Sequence, residues 1–174
     1  MFWNAFGIKL GLTLGPQDKA IRFLQSNLIP RFSLAAYDGD ILLGVAGFKT
    51  EKGGLVGGDL KALAYVYGWP SVLWRGAMLD LLERPLARDQ LLMDGIFVTA
   101  DARGRGVGTA LLNAVKTHAR DLGKRQVRLD VIAENPRAKA LYLREGFYEI
   151  KTTRSAIAKS LFKISASTEM AFDL

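Results

Sequence analysis

The stretch ADARGRGVGTALL, residues 100–112, constrains this chain more than any other. It follows QLLMDGIFV (90–98), which reads as a strand. It runs directly into a helical stripe at Val107, Leu111, Ala114, Val115, His118 and Leu122, with Gly123 as the stop. Strand, glycine turn and helix in that order bring successive backbone amides together at a helix N-terminus. With no side chains at Gly104, Gly106 and Gly108, those amides can reach a diphosphate, and the helix dipole favours its negative charge. Arg103 and Arg105 can add charge-assisted hydrogen bonds.

Two familiar phosphate loops do not fit. A P-loop needs GxxxxGK[ST], and no stretch of the chain matches it. A dinucleotide fingerprint needs G-x-G-x-x-G, normally after a first strand; here Thr109 stands in place of the third glycine, in mid-chain. The pattern R/Q-x-x-G-x-G/A does fit residues 103–108, with Val98 closing the strand five positions earlier.

Charge agrees with an anionic ligand. Of the net +7, residues 1–100 contribute almost nothing, with 10 Lys/Arg against 9 Asp/Glu, whereas residues 101–174 carry 14 against 8. The excess begins at the glycine loop, which suits nucleic acid or a phosphorylated cofactor. Nucleic-acid binding would call for exposed aromatics interleaved with the basic residues, but the nearby aromatics fall on apolar periodicities. With no cysteine there is no disulfide, no thiolate metal site and no cysteine nucleophile, and one histidine makes no metal site. The apolar start, MFWNAFGIKLGLTLG, alternates at Phe6, Ile8, Leu10, Leu12 and Leu14, and reads as a strand rather than a signal peptide. No membrane helix is expected, and a cytoplasmic location is the default.

The other elements follow from punctuation and period. Ala20, Ile21, Phe23, Leu24 and Leu28 predict a helix closed by Pro30. SLAAY and ILLGVAGF flank Asp38-Gly39-Asp40 as a hairpin, and Gly53-Gly54 with Gly57-Gly58 mark a loop. Residues 59–83 read as two helices or one kinked at Gly68-Trp69-Pro70, with Pro85 ending them. Gly95, inside the loop strand, suggests a bulge. QVRLDVIA, FYEIKTTRS and STEMAFDL are further strands. Asn135-Pro136 opens a short helix through Glu145, which Gly146 ends, and 155–166 is ambiguous.

The loop, together with LDVIAENPRAKALYLREGF (129–147), resembles the GCN5-related N-acetyltransferase (GNAT) superfamily. The second block carries the family's strand–Asn–helix–Tyr–Gly–Phe pattern at Asn135, Ala138, Ala140, Leu141, Tyr142, Gly146 and Phe147. Ala100 stands where the family often has proline, and the region between hairpin and loop strand is longer than in compact members. The resemblance implies an α/β (α+β) fold with a central mixed, mostly antiparallel twisted sheet of six to seven strands. Helices would flank it, with a helical insertion before the cofactor-binding strand, in one domain over residues 1–174.

It also implies acetyl-CoA as donor, an amine as acceptor and no metal. The diphosphate would sit on Arg103, Gly104, Arg105, Gly106, Val107 and Gly108, with Thr109 opening the helix. The pantetheine arm would pair with Ile96, Phe97 and Val98, with Gly95 as the bulge that admits it. Asn135 would hydrogen-bond the arm or cap its helix. Tyr142 would approach the thioester sulfur and protonate the thiolate; the alternative is a core tyrosine beside Leu141 and Phe147. A lysine-like amine must first lose a proton, at a cost of about 4.6 kcal/mol at pH 7. Asp130 is the first candidate base, with Asp94 and Glu134 as alternatives, or else Asp130 is a solvated or salt-bridged strand carboxylate beside Arg128.

Around these, His118 reads as a packed helix residue. Tyr67, Trp69 and Trp74 line an acceptor pocket or belong to a core. KRQVR (124–128) is solvated surface or attracts the CoA 3′-phosphate. An acyl-cysteine relay is excluded, leaving direct transfer in a ternary complex. The acceptor stays open between a small-molecule amine and a peptide or protein amine, and homodimers are common in the family. The competing reading is a catalytically silent GNAT fold that binds CoA as a sensor or scaffold.

Overall fold

The computed structural model describes residues 14–57, 60–82, 86–155, 160 and 164–174. A seven-stranded sheet carries the molecule: β1 (Ser33–Asp38), β2 (Ile41–Thr50), β3 (Gly53–Gly54), β4 (Gln90–Val98), β5 (Gln126–Ile132), β6 (Tyr148–Arg154) and β7 (Ala166–Asp173). Its order is β1-β2-β4-β5-β7-β6, with the short β3 beside β2. Every pairing is antiparallel except β4 with β5. The Asp38-Gly39-Asp40 hairpin forms as its turn residues dictate.

Among the described residues, the helices α1 (Gln17–Asn27), α2 (Leu60–Tyr67), α3 (Trp69–Leu82), α4 (Val107–Asp121) and α5 (Pro136–Arg144) flank the sheet. The main core lies between the sheet and α4 with α5. It joins Ala46, Phe48, Leu91 and Met93 to Leu111, Leu112, Val115, Val127, Leu129, Tyr142 and Phe147. A second, smaller cluster holds Leu14, Ala20, Phe23, Leu63 and Val72 among the first three helices. The insertion expected over 59–83 is therefore two helices broken at Gly68, with their own core and with Ser71 Oγ donating to the Tyr67 carbonyl at 2.8 Å.

Three expectations need adjusting. Leu14, read as the end of a strand, is helical and packs in the second cluster; positions 6–13 of that strand lie outside the described residues. Gly53-Gly54 is not simple loop but a two-residue strand against Lys49 and Thr50. On α4, Ala114 is exposed, as is Leu122 just past its end, while Leu112, Lys116 and Ala119 are buried. The buried arc is wider than one stripe because α4 lies across β1, β2, β4 and β5 and also meets the end of α5. Pro85 and most of the ambiguous tail segment, 156–159 and 161–163, fall outside the described residues. No helix among the described residues is long and apolar enough to cross a membrane.

Candidate functional site

The glycine loop joins the end of β4 to α4 through a short 3-10 turn, Ala100–Ala102. Gly104 and Gly106 have φ of +77° and +80°, values that a residue with a Cβ adopts only with strain. Around either one, no heavy atom lies within 4 Å of where a Cβ would stand, so the space above the loop is open. Gly106 is the N-cap of α4, and the first N–H to bond back along the helix is Ala110, to the Gly106 carbonyl at 3.0 Å. The amides of Val107, Gly108 and Thr109 thus point out of the helix end, where the dipole favours an anion. Arg103 folds back, its Nε 3.4 Å from the Val98 carbonyl, and Arg105 reaches Asp38 in the hairpin at 3.6 Å.

Beside the loop the sheet divides. β4 and β5 pair in parallel from Gln90–Gln126 to Met93–Leu129, and there the ladder stops, although β4 runs on to Val98 and β5 to Ile132. On its other side β4 stays bonded to β2 as far as Val98–Gly44. The division coincides with a bulge. Gly47 pairs with Gly95 and Phe48 with Met93, which leaves Asp94 as the extra residue, one position before the expected Gly95. Ile96, Phe97 and Val98 therefore present one β4 edge to the split, a row of main-chain groups that an extended ligand arm can pair with.

Across the split stands α5. Asn135 caps it, accepting from the Ala138 N–H at 3.2 Å, and Pro136 follows at the first helical position. Tyr142 is buried against Phe147, ring centroids 5.9 Å apart, and burial pushes its hydroxyl up to about 12.

An open glycine cradle at a helix N-terminus, set against a splayed pair of parallel strands, matches a known family. A family model described as the acetyltransferase (GNAT) family aligns with residues 12–147. The chain belongs to the GNAT family. A curated relative, an uncharacterized N-acetyltransferase of Methanocaldococcus jannaschii, is 50% identical over 54 residues; the match covers 31% of this chain and 24% of that protein. Among solved structures, a GCN5-related N-acetyltransferase from Kribbella flavida superposes with a TM-score of 0.60 at 19% identity, covering 98% of this chain and 89% of its own. Ard1 from Thermoplasma volcanium gives 0.59 at 17% identity, with 95% and 85% covered. At those identities the likeness is one of fold, and the sheet order and helix placement are those of the GNAT fold.

Within this GNAT fold the three candidate carboxylates part company. Asp130 alternates with the buried Val127, Leu129 and Val131, so it faces the side of the sheet away from the core that holds Tyr142. Asp94 is exposed at the bulge, where β4 leaves β5. Glu134 is engaged elsewhere: it accepts from the Ser165 N–H at 2.7 Å, a bond that lowers its pKa and ties the end of β5 to the start of β7. Arg128, two residues before Asp130, is engaged across the sheet. Arg128 pairs with Glu169 and donates to Gln90 Oε1 at 3.1 Å.

The surrounding residues also sort themselves. His118 packs its ring 5.1 Å from Phe48, as a core-facing helix residue does. KRQVR is mixed, with Arg125 exposed and Lys124 buried. Lys124 is buried at the far end of the sheet, donating to Glu51 and to the Arg88 carbonyl, and α4 separates it from the loop by about 22 Å. Tyr67 donates to the Leu14 carbonyl, and the Arg75 guanidinium lies over both Tyr67, at 4.2 Å, and Trp74, at 4.4 Å, so these rings brace the helical insertion. Trp69 is exposed.

Three residues that sequence reasoning passed over matter here. Gly44 in β2 lets β4 and α4 close over it. Lys116, on the buried side of α4, donates to the Glu145 carbonyl at 2.6 Å and lies 4.1 Å from the Phe172 ring. Glu145, beyond the end of α5, accepts from Thr109 Oγ1 at 2.7 Å. A glycine within an apolar strand was a legible signal for the first; the other two contacts join residues 29 and 36 positions apart and left none.

Proposed function

We propose that this chain moves the acetyl group of acetyl-CoA to a primary amine by direct attack within a ternary complex. The observation that carries the proposal is the open cradle at Gly104 and Gly106, which adjoins a sheet split edged by Ile96–Val98. In this reading the outward amides at the start of α4 hold the diphosphate. The β4 edge pairs with the pantetheine arm, and Asn135, already half used as a cap, donates to the arm through its amide nitrogen.

The two faces of the split then serve opposite ends of the reaction. Asp130, on the face away from the core, takes a proton from the incoming ammonium, with Asp94 at the bulge as the alternative. The neutral amine nitrogen forms its bond to the carbonyl carbon and gives its second proton to water, and the carbon–sulfur bond breaks toward α5, its electron pair leaving with the sulfur. Tyr142 meets the departing sulfur from the core side. Its hydroxyl, at about 12, is a weaker acid than a thiol near 8.5, so complete transfer to a solvated thiolate is uphill by about 5 kcal/mol. Tyr142 therefore acts first as a hydrogen-bond donor to the developing charge, a contribution that grows as the bond breaks.

Acceptor choice belongs to α1, the α2–α3 insertion and the β6–β7 end, none of which is set by the loop motifs. The experiment follows from that division. Calorimetry with CoA tests the donor site by itself, and thiol release from acetyl-CoA across small amines, amino acids and peptides tests transfer. CoA binding with no turnover over the whole panel supports a catalytically silent CoA-binding protein instead; no CoA binding removes the reading altogether.

A further inference from the structure

α4 and the end of α5 are joined by three contacts, two on Glu145 and one on Leu141 a turn before it. Thr109 Oγ1 donates to Glu145 Oε1 at 2.7 Å. The buried Lys116 donates to the Glu145 main-chain carbonyl at 2.6 Å, with its ammonium 4.1 Å from the Phe172 ring and 5.4 Å from that of Phe147. Gly108 lies so near α5 that a Cβ there would stand 3.1 Å from Leu141 Cδ2. Glu145 in turn closes the helix that carries Tyr142. Its N–H bonds to the Leu141 carbonyl at 3.0 Å, and the Phe147 N–H bonds to that of Tyr142, also at 3.0 Å.

Thr109 is in the turn whose free amides face the open cradle, and its hydroxyl is already committed to a carboxylate. A diphosphate settling on that turn brings negative charge beside the same carboxylate and competes for the same hydroxyl. Either effect moves Glu145, and Glu145 is one helical turn from Tyr142. We infer that Glu145 is a positioning residue that couples occupancy of the glycine loop to the placement of the Tyr142 ring. The inference rests on the diphosphate reading above and adds to it a route by which donor binding sets the group facing the sulfur. Lys116 ties the Glu145 main chain to α4, and the N–H bonds of Glu145 and Phe147 to the Leu141 and Tyr142 carbonyls carry a displacement of Glu145 into the turn that holds Tyr142.

ADP tests the link, because it carries a diphosphate and no pantetheine arm that could touch Tyr142 directly. In protein labelled with ring-13C tyrosine, the Tyr142 signal is assigned by its loss in Y142F and followed at saturating ADP. The expected result is a shift in the wild-type protein, its loss in Glu145→Ala, and its retention in Glu145→Gln, whose amide oxygen still accepts from Thr109. Should Glu145→Ala not fold, Thr109→Val removes the same hydrogen bond without touching α5, and the shift is again lost at saturation. A shift that survives in Glu145→Ala or in Thr109→Val, or saturating ADP with no shift in the wild-type protein, overturns the coupling and leaves the diphosphate site standing. If neither ADP nor CoA binds, the diphosphate reading itself fails, and the coupling with it.

Discussion

Gly44 in β2 lies so close under β4 that a Cβ there would stand 2.7 Å from the Phe97 carbonyl oxygen, with Leu111 Cδ1 and Val107 Cγ1 at 3.1 and 3.3 Å. The carbonyl cannot swing aside, because Phe97 is held in register with Val45. This one missing side chain lets the loop strand and the start of α4 close over β2. Gly44→Ala is therefore expected to cost about 1–3 kcal/mol through overpacking. At this chain length that lowers the melting temperature by about 3 °C per kcal/mol. An unchanged melting curve would show that the strands are not pressed together at Gly44.

Gly106 makes the opposite kind of demand. A Cβ there meets nothing in the protein, so its only internal penalty is the φ of +80°, about 1–2 kcal/mol. Gly123 has φ of +69° and is equally open, but sits at the other end of α4. The two alanine variants are expected to lose similar stability. Only Gly106→Ala is expected to weaken CoA binding, by about tenfold or more, equivalent to 1.4 kcal/mol. Calorimetric titration of both variants checks this, and equal CoA affinities would place the diphosphate elsewhere.

Tyr142→Phe separates chemistry from binding. Turnover is expected to fall much more than CoA affinity, since the hydroxyl acts on charge that develops during transfer. Stability gives an independent reading. Burial raises the folded-state pKa to about 12 from 10, so between those values the unfolded chain releases its proton and the folded one does not. The contribution is intact below pH 10 and is lost as pH rises toward 12, up to about 3 kcal/mol in full. Denaturant titrations of wild type and Tyr142→Phe between pH 8 and 11 should therefore draw together or cross on the alkaline side. A constant difference across that range would contradict the buried phenol.

Lys124 supports the end of the sheet remote from the loop, held by Glu51 and the Arg88 carbonyl. Lys124→Ala is expected to lower the melting temperature by several degrees while CoA affinity stays as it was. The hydrogen bond from Lys124 holds Glu51 below the usual glutamate range, so its contribution is present above that range and lost as pH falls through the lowered value. The variant should lose this acid-side dependence. A change in CoA affinity would contradict the separation between Lys124 and the loop.

Much of this architecture could be read along the chain because the signals are local. Asp38-Gly39-Asp40 dictates a hairpin, Gly68 breaks a helix, and Asn135-Pro136 begins one with its own cap, each through the conformational preferences of two or three residues. The glycine loop belongs to the same class, since freedom from side chains at Gly104 and Gly106 is a property of the residues themselves. Burial was harder to read. The wider buried arc of α4, with Lys116 in it and Leu122 outside, depends on what packs against each face. Likewise KRQVR gives no sign that its first lysine lies beneath Glu51, a residue 73 positions away.

By itself the sequence determined the order of the elements, the positive-φ turn at the mouth of α4 and the family to which both point, because each depends on covalent geometry or on the period of a single segment. Only the tertiary structure decided where β4 and β5 part company, which side of that split Asp130 and Tyr142 face, and that Thr109 meets Glu145. Those relationships exist only once the sheet has closed and α4 and α5 lie against it, since contacts between distant residues depend on packing that no local pattern records.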